Sequence, residues 1–340
     1  MPSTIKDIAE LTGLGIATIS KYINGGTVLA KNKEKIDAAI EQLDFHVNSF
    51  ARGLKTSKSK TIGVVIPELS NIFSSGIITI IEDILRRAGY GILVCDCRTD
   101  EKLEREAVGF LLNKMVDGII NMPVSSSGEH LLAAIERHIP VVLIDRKVEL
   151  PLDAVLIENE NASRQAIECF ISNGHTRIGI ICGEKSIYTT EERLLGYENA
   201  LNAAGLKYDD GLVAYGNYTV QGGYEGMKRL LEREISAVFV TNYEMTLGAI
   251  IAINELGIHI PDEISFIGFD NLQLSQVVKP RLSIIYQPTE KIAEDAAMLL
   301  INSIKQGEQH EPCVIKHETA LLRGNSIKNI KHLTMSSPRL

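Results

Sequence analysis

Apolar and polar residues repeat along the chain with two different periods, and the change between them falls near Thr61. Before that residue, apolar positions recur every three to four residues, as in amphipathic helices. After it, short continuous apolar runs alternate with amphipathic stretches, which predicts strands separated by helices. The predicted strands are 62–67, 91–97, 117–122, 141–145, 154–158, 177–183, 237–242, 264–269 and 283–287. The predicted helices are 74–88, 102–113, 130–137, 161–173, 190–204, 221–233, 244–256 and 289–305.

This alternation predicts an α/β body of doubly wound parallel sheets with helices on both faces. The run is too long for one comfortable sheet, so we expect two similar subdomains that form a hinged clamshell. The helix at 289–305 is expected to cross back from the second subdomain to the first. The predicted first subdomain is 61–160 plus 289–320, the second is 161–288 plus 321–326, and 327–340 is a tail.

Residues 1–47 are predicted to form an all-α head that contains a helix-turn-helix. Thr4 and Asp7 have the spacing of a capping box that starts a helix. A second helix, at 16–24, turns short polar residues and Lys21 outward, which suits entry into a DNA groove. A three-helix bundle used for protein contacts is the alternative. The apolar residues predicted to face the interior are Ile5, Ile8, Ala9, Leu11, Ile19, Ile23, Ile36, Ala39, Ile40 and Leu43.

A short helix-competent segment, at 48–60, follows the head. Asn48 can cap it, and Leu54 stands between Arg52 and Lys55. A helix of this length is marginal by itself, so we expect it to form only when something packs against it. An exposed leucine beside two cations suits a wedge in a DNA minor groove. A plain interdomain linker is the alternative.

Charge is distributed unevenly along the chain. The formal net charge is −8, which argues against a protein that binds nucleic acid over its whole surface. Residues 1–60 nevertheless carry 9 Lys and Arg against 6 Asp and Glu, whereas the rest carries 26 against 37. A basic head on an acidic body keeps the attraction to phosphate local.

Neither the composition nor the motifs indicate an enzyme. The sequence has no glycine pattern for nucleotide phosphates, no Ser–His–Asp order and no zinc-protease motif. It also has no apolar signal region and no run of eighteen apolar residues. We therefore expect a cytoplasmic protein with no cofactor, no metal site and no membrane span. The five cysteines, which fall mostly in apolar runs and are expected to be reduced, are Cys95, Cys97, Cys169, Cys182 and Cys313.

Polar and aromatic residues follow many of the predicted strands. In open parallel sheets, ligands bind at the carboxyl ends of the strands. Carboxylates, guanidinium groups and amides beside an aromatic face are the groups that bind sugar hydroxyls and stack on a sugar ring. We therefore predict an effector site between the subdomains. Its predicted residues are Asn71, Phe73, Asp145, Arg146, Arg193, Tyr218, Asn242, Asp270 and Gln287.

The head and the segment after it resemble the lactose-repressor (LacI/GalR) family of bacterial transcription regulators, and the similarity extends over essentially the whole chain. The resemblance implies that Ile16, Ala17 and Lys21 face base edges and that Thr18 and Ser20 lie near phosphates. The motifs that carry it are Ile5-Lys6-Asp7-Ile8-Ala9, Ala17-Thr18-Ile19-Ser20-Lys21, Asn24-Gly25 and Phe50-Ala51-Arg52-Gly53-Leu54. The implied DNA-binding residues are Thr4, Ile16, Ala17, Thr18, Ser20, Lys21, Asn24, Asn48, Ala51, Arg52, Leu54 and Lys55.

The chain departs from the family pattern at four positions. Gly15 stands where a capping serine is usual, and Lys21 replaces an arginine, so a point charge replaces a bidentate fork onto guanine. Ser74 stands where ribose binders often carry a second aromatic residue, and Tyr243 stands where an aspartate is usual. The last two differences predict a pocket wider than a ribose site.

The resemblance implies a type I periplasmic-binding-protein-like clamshell and a repressor of carbohydrate-utilisation genes. Operator affinity would respond to a monosaccharide or a derivative bound between the subdomains. A homodimer on a near-palindromic operator is expected, because one small head reads only a half-site. One alternative is a catabolite-control regulator with a phosphorylated carrier protein as corepressor, since 69–73 and Glu82-Asp83 resemble that subgroup. The other is a sugar-binding transport receptor.

Overall fold

A computed structural model of the chain describes residues 3–23, 25–45, 58–270 and 272–331. The chain divides into two compact units, Met1–Ser59 and Lys60–Leu340. No helix among the described residues is both long and apolar enough to cross a membrane.

The first unit contains three helices, α1 (Ile5–Thr12), α2 (Ile16–Ile23) and α3 (Ala30–Gln42). The backbone N–H of Thr4 donates to the carboxylate of Asp7 at 2.6 Å, which confirms the predicted capping box. The buried core of the unit consists of Ile8, Ile19, Ile36, Ala39 and Phe45.

The prediction that Leu11 faces this core is wrong, because its side chain is 47% exposed. At 3.6 residues per turn, Leu11 lies roughly 120° around the helix from Ile5, outside the buried stripe. The buried apolar face of α1 is therefore narrower than the sequence predicted.

The second unit contains twelve strands among the described residues. Their apolar runs carry the β-branched residues that pack well on a pleated surface. In chain order they are β1 (Thr61–Ile66), β2 (Gly91–Asp96), β3 (Gly118–Asn121), β4 (Val141–Ile144), β5 (Asp153–Ile157), β6 (Ile178–Cys182), β7 (Val213–Tyr215), β8 (Ala237–Val240), β9 (Ser265–Phe269), β10 (Ser283–Tyr286), β11 (Val314–His317) and β12 (Ala320–Leu322).

Helices cover both sheets of this unit. In chain order they are α4 (Ile72–Arg87), α5 (Glu101–Asn113), α6 (Leu132–Glu136), α7 (Asn159–Ser172), α8 (Tyr188–Ala203), α9 (Val220–Leu231), α10 (Tyr243–Glu255), α11 (Leu272–Val277) and α12 (Thr289–Gln306).

The strands form two six-stranded sheets. The first has the order β11-β5-β4-β3-β1-β2, and each neighbouring pair in it is parallel. The second has the order β12-β10-β9-β8-β6-β7 and is parallel except for β12, which runs antiparallel to β10. The predicted fold class, an all-α head with a body of two doubly wound sheets, is confirmed.

The central strands are buried on both faces, which explains why they read as continuous apolar runs. The chain passes between the sheets after β5, after β10 and between β11 and β12. Helix α12 packs against α4 and against the first sheet, as expected of a helix that crosses back. These crossings bring the carboxyl ends of both sets of strands to one cleft.

Candidate functional site

A cavity of about 70 Å³ lies between the two sheets at the carboxyl ends of their strands. Residues from both subdomains line it, as the strand-end rule predicts. Eight of the nine predicted effector residues are among them, namely Asn71, Phe73, Asp145, Arg146, Arg193, Tyr218, Asn242 and Gln287.

Asp270, the ninth predicted residue, does not line the cavity and instead contacts one that does. The side-chain amide of Gln287 donates to Asp270 Oδ2 at 2.6 Å. Burial raises the pKa of Asp270 to about 7, although the charge of Arg193 opposes the rise. Among the described residues, the buried Asp270 Oδ1 and Gln287 Oε1 have no hydrogen-bond partner. Gln287, which is 2% exposed, therefore presents an unsatisfied acceptor at the cavity wall.

Four residues that line the cavity or contact its wall adopt the left-handed backbone conformation that non-glycine residues rarely use. They are Thr99 after β2 (φ 56°), Asp145 after β4 (φ 67°), Asp270 after β9 (φ 62°) and Tyr218 before α9 (φ 58°). Such conformations cost about 1–3 kcal/mol each and persist where the surrounding structure over-determines them. The same conformation also occurs away from the cleft, at Met115, His138 and Glu234 among others, but near the cavity it falls at strand ends of both subdomains.

Arg193 is held from three sides. It projects from α8, donates from Nε to Asn159 Oδ1 at 2.8 Å, and donates from Nη1 to the carbonyl of Thr241. Its guanidinium lies 4.0 Å from the ring centroid of Phe269, a distance typical of a cation–π contact. These contacts fix the orientation of Arg193 before any ligand arrives.

Arg146 bridges the cleft. Its Nη1 donates to the carbonyl of Pro123 at 3.1 Å, and its Nε lies 3.6 Å from the carboxylate of Asp145. Both partners belong to the first subdomain. The guanidinium also lies 5.3 Å from the ring centroid of Tyr218 in the second subdomain.

Glu244, at the start of α10, forms a second bridge that the sequence analysis missed. Its carboxylate accepts from Asn71 Nδ2 at 2.9 Å across the cleft and from Asn242 Nδ2 at 2.7 Å within its own subdomain. Both asparagines also cap helices, because their Oδ1 atoms accept from the backbone N–H groups of Ser74 and Met245. Their amide donors therefore face Glu244 in this state.

The two bridges explain the small size of the cavity. Ligand pockets are typically about 300–1,000 Å³, so this cavity is too small for a monosaccharide until the bridges open. The expectation of a pocket wider than a ribose site, based on Ser74 and Tyr243, stays a prediction, because both bridges close this cavity. An outer cleft of about 790 Å³ adjoins the cavity and shares Glu68, Thr99 and Tyr218 with it.

Tyr218 is positioned by two threonines that the sequence analysis also missed. Its hydroxyl lies 2.8 Å from Thr189 Oγ1 and 2.7 Å from Thr190 Oγ1. Thr189 lines the cavity, as do Pro67, Glu68, Ser74, Thr99 and Met122. Both threonines lie in the first turn of α8, which follows β6 after a short loop, so their position near a strand end was the available signal.

The ring of Tyr218 lies directly over Gly183. A Cβ added to Gly183 would lie 2.0 Å from the Cζ atom of this ring. We predict that Gly183→Ala lowers the free energy of unfolding by about 1–3 kcal/mol, because overpacking must displace the tethered ring. Denaturant unfolding checks this, with Gly109→Ala as the control because open space surrounds that position. Equal stability of Gly183→Ala and the unaltered protein would contradict the assigned position of the ring.

The predicted DNA-facing residues of the head lie on the outer side of α2. Ile16 is 50% exposed, Ala17 and Lys21 are exposed, and Thr18 and Ser20 are partly exposed. The opposite side of the helix carries the buried Ile19. Thr4 is exposed at the start of α1. The predicted residues Asn24, Asn48, Ala51, Arg52, Leu54 and Lys55 lie outside the described residues.

A helix-turn-helix head and a two-sheet body with a cleft lined from both subdomains are typical of a ligand-responsive DNA-binding transcription regulator. Residues 4–48 match the family described as bacterial regulatory proteins, lacI family. Residues 59–325 match periplasmic binding proteins and the sugar binding domain of the LacI family. The chain belongs to the lacI family of bacterial regulatory proteins.

The similarity to other proteins covers most of the chain. Catabolite control protein A of Priestia megaterium is 34% identical over 308 residues, which are 88% of this chain and 92% of that protein. The structure of the transcriptional regulator CelR–cellobiose complex is 29% identical, covers 95% of this chain and 99% of CelR, and has a TM-score of 0.72. A LacI family regulator from Enterococcus faecium with bound ribose is 26% identical, covers 80% of this chain and all of that one, and has a TM-score of 0.73.

The lac repressor dimer bound to operator and the anti-inducer ONPF has the same fold. It matches with a TM-score of 0.86 at 23% identity, covering 96% of this chain and all of the repressor chain.

Proposed function

We propose that this regulator represses carbohydrate-utilisation genes and that a small sugar bound in the cleft changes its affinity for operator DNA. The observation that carries the proposal is the convergence of polar strand-end residues from both subdomains on one cavity. A ligand that touches both sides of a hinged cleft shifts the population between open and closed states. CelR, solved with cellobiose, and the Enterococcus faecium regulator, solved with ribose, support a sugar as the ligand. Such a regulator acts on DNA in the cytoplasm.

For DNA reading, the proposal uses the exposed side of α2 and the segment at 48–60. Lys21 supplies a positive charge for a base edge or phosphate, and Ile16 and Ala17 supply apolar contacts such as those to thymine methyl groups. Leu54 acts as a minor-groove wedge when two such segments meet.

We propose the domain limits 1–47, 48–60, 61–160 plus 289–320, and 161–288 plus 321–326.

A homodimer is the functional unit in this proposal, with a near-palindromic operator. The supporting observation is that both subdomains expose large apolar side chains. In the first subdomain, Ile72 on α4 is 50% exposed and Val94 on the edge strand β2 is 38% exposed. In the second, Val277 is 78% exposed. Contacts in both subdomains would let cleft closure change the geometry of the dimer.

Induction is the proposed direction of control. The two bridges hold the cleft closed without ligand, so a ligand must open or rearrange them to enter. Rearrangement of the subdomains would separate the paired segments at 48–60 and release DNA. The coupling between the two sites is reciprocal, so DNA must weaken ligand binding by the same factor.

Corepression by a phosphorylated carrier protein is the second candidate. It is supported by the 34% identity to catabolite control protein A and by the small inner cavity. In this candidate the closed cleft is permanent, and operator affinity rises when the carrier protein binds the body.

One comparison separates the two candidates. Thermal unfolding is measured with a panel of neutral, amino and phosphorylated sugars, and the protein is tested in parallel for capture by a phosphorylated carrier protein. The sugar proposal expects at least one sugar to raise the melting temperature and to change operator affinity. Carrier-protein capture that raises operator affinity, with no response to any sugar, would support corepression instead.

A further inference from the structure

The charged groups of the cleft carry information about the chemical class of the effector. The guanidinium groups of Arg146 and Arg193 each lie near a carboxylate of the protein. Arg146 lies beside Asp145 at 3.6 Å, and the charge of Arg193 stabilises the ionised form of Asp270. Two nitrogens of Arg193 also donate hydrogen bonds to protein oxygens. Both cations therefore already have a carboxylate of the protein nearby.

Two further carboxylates, Glu244 and Glu68, have no such partner. Among the described residues, no lysine or arginine forms an ion pair with either of them. Glu244 is half-buried and accepts from the side-chain amides of Asn71 and Asn242 and from its own backbone N–H. Burial raises the pKa of Glu244, and the nearby charge of Glu68 raises it further. The cleft therefore holds two carboxyl groups that no cation of the described residues pairs with.

The outer cleft also has more acidic than basic side chains in its lining. Its lining includes the carboxylates of Glu68, Asp96 and Glu184 but the guanidinium of Arg98 alone. A ligand that enters through this mouth passes a negatively charged surface. Such a surface repels anions and raises the local concentration of cations.

A second observation is an unpaired acceptor at the wall of the inner cavity. The Oε1 atom of Gln287 is buried at the cavity wall without a partner among the described residues. A buried acceptor left unpaired costs about as much free energy as a lost hydrogen bond. A ring hydroxyl can donate to it, so the site calls for donors at the Gln287 wall and beside Glu244.

We propose that the effector is an amino sugar, with its ring hydroxyls on the Gln287 side and its ammonium group between Glu244 and Glu68. The ammonium replaces the hydrogen bond from Asn71 to Glu244, which opens the bridge across the cleft. It also supplies the positive charge that these two carboxylates lack. This inference rests on the proposed function, because it assigns the ligand class of the same cleft.

The test compares matched sugars that differ only at one group. Glucosamine, galactosamine and mannosamine are titrated beside glucose, galactose and mannose by calorimetry, with glucose 6-phosphate as the anionic probe. A charge-assisted hydrogen bond should make an amino sugar bind about tenfold tighter than its neutral partner, or more. Glucose 6-phosphate should show no binding.

Substitution then locates the ammonium group. Glu244→Gln should abolish the preference for the amino sugar, so that within this variant each amino sugar binds no more tightly than its neutral partner. Glu68→Gln serves as a second variant, with a smaller loss because Glu68 is exposed. Glu255→Gln is the matched control, because Glu255 lies on the same helix, is exposed, and accepts from Tyr224 away from the cleft.

The outcomes separate the inference from the function on which it rests. If a neutral sugar binds as tightly as its amino partner in every pair, or if Glu244→Gln retains the preference, the inference is wrong and the proposed function stands. If no sugar of any class binds, both are wrong.

Discussion

Arg193→Ala is expected to abolish the rise in melting temperature that a bound sugar produces. Arg193 is buried at the cavity wall, is oriented by Asn159, Thr241 and Phe269, and lies beside Asp270. A hydrogen bond to a charged group contributes about 1.5–3 kcal/mol, so affinity should fall at least roughly tenfold. Thermal unfolding with the best sugar of the panel measures the effect. Operator binding without ligand should persist, because the head is a separate compact unit.

The controls distinguish a lost ligand contact from a damaged fold. Arg164→Ala removes an exposed arginine of α7 that pairs with Glu168, so the sugar-induced shift should remain. Arg193→Lys keeps the charge but loses the planar fork, so it should recover part of the shift. A full sugar-induced shift in Arg193→Ala would mean that the ligand binds elsewhere.

Lys21→Ala is expected to weaken specific operator binding by about tenfold or more. Lys21 is exposed on the outer side of α2, opposite the buried Ile19. A good contact to a base edge is worth about 1–3 kcal/mol, and a phosphate contact contributes close to one unit of the salt dependence. Fluorescence anisotropy on an operator selected from random DNA, at several salt concentrations, measures both quantities.

The matched control is Lys33→Ala, which removes the same charge from the exposed side of α3. Specific affinity should change little, because α3 is not the proposed reading helix. Equal losses in the two variants would mean that Lys21 acts only through the net charge of the head.

The strands of the body were largely predictable because most are buried on both faces. β1, β6 and β9 consist of apolar residues without interruption, so no polar alternation hides them. The missed strands β7, β11 and β12 have three or four residues each and lie at the edges of the two sheets. An edge strand needs apolar residues on one side only, and β11 shows this in its alternation of exposed and half-buried positions.

The cavity was predictable to the extent that it depends on strand ends. Asn71, Asp145 and Asn242 follow strands, and the topology alone brings them together. Glu244 was missed because it lies at the start of a helix, where a glutamate side chain is ordinarily exposed to solvent. Its contact with Asn71 joins residues that are far apart in the chain, and no local pattern encodes such a contact.

Asp270, in contrast, was predicted to line the cavity and does not. Its place after β9 made it a strand-end candidate, but the structure puts Gln287 between it and the cavity. Both residues follow neighbouring strands, so position along the chain could not tell which of them would lie in front.

Operator affinity, measured with and without a saturating sugar in the unaltered protein and in Arg193→Ala, shows whether the cleft controls DNA binding. Coupling between sites in allosteric proteins is typically about 1–3 kcal/mol, so the sugar should change the operator Kd of the unaltered protein by about tenfold. The Arg193→Ala protein should bind the operator with the same Kd in both conditions. An unchanged operator Kd in the unaltered protein, with calorimetry showing the sugar bound, would contradict the account.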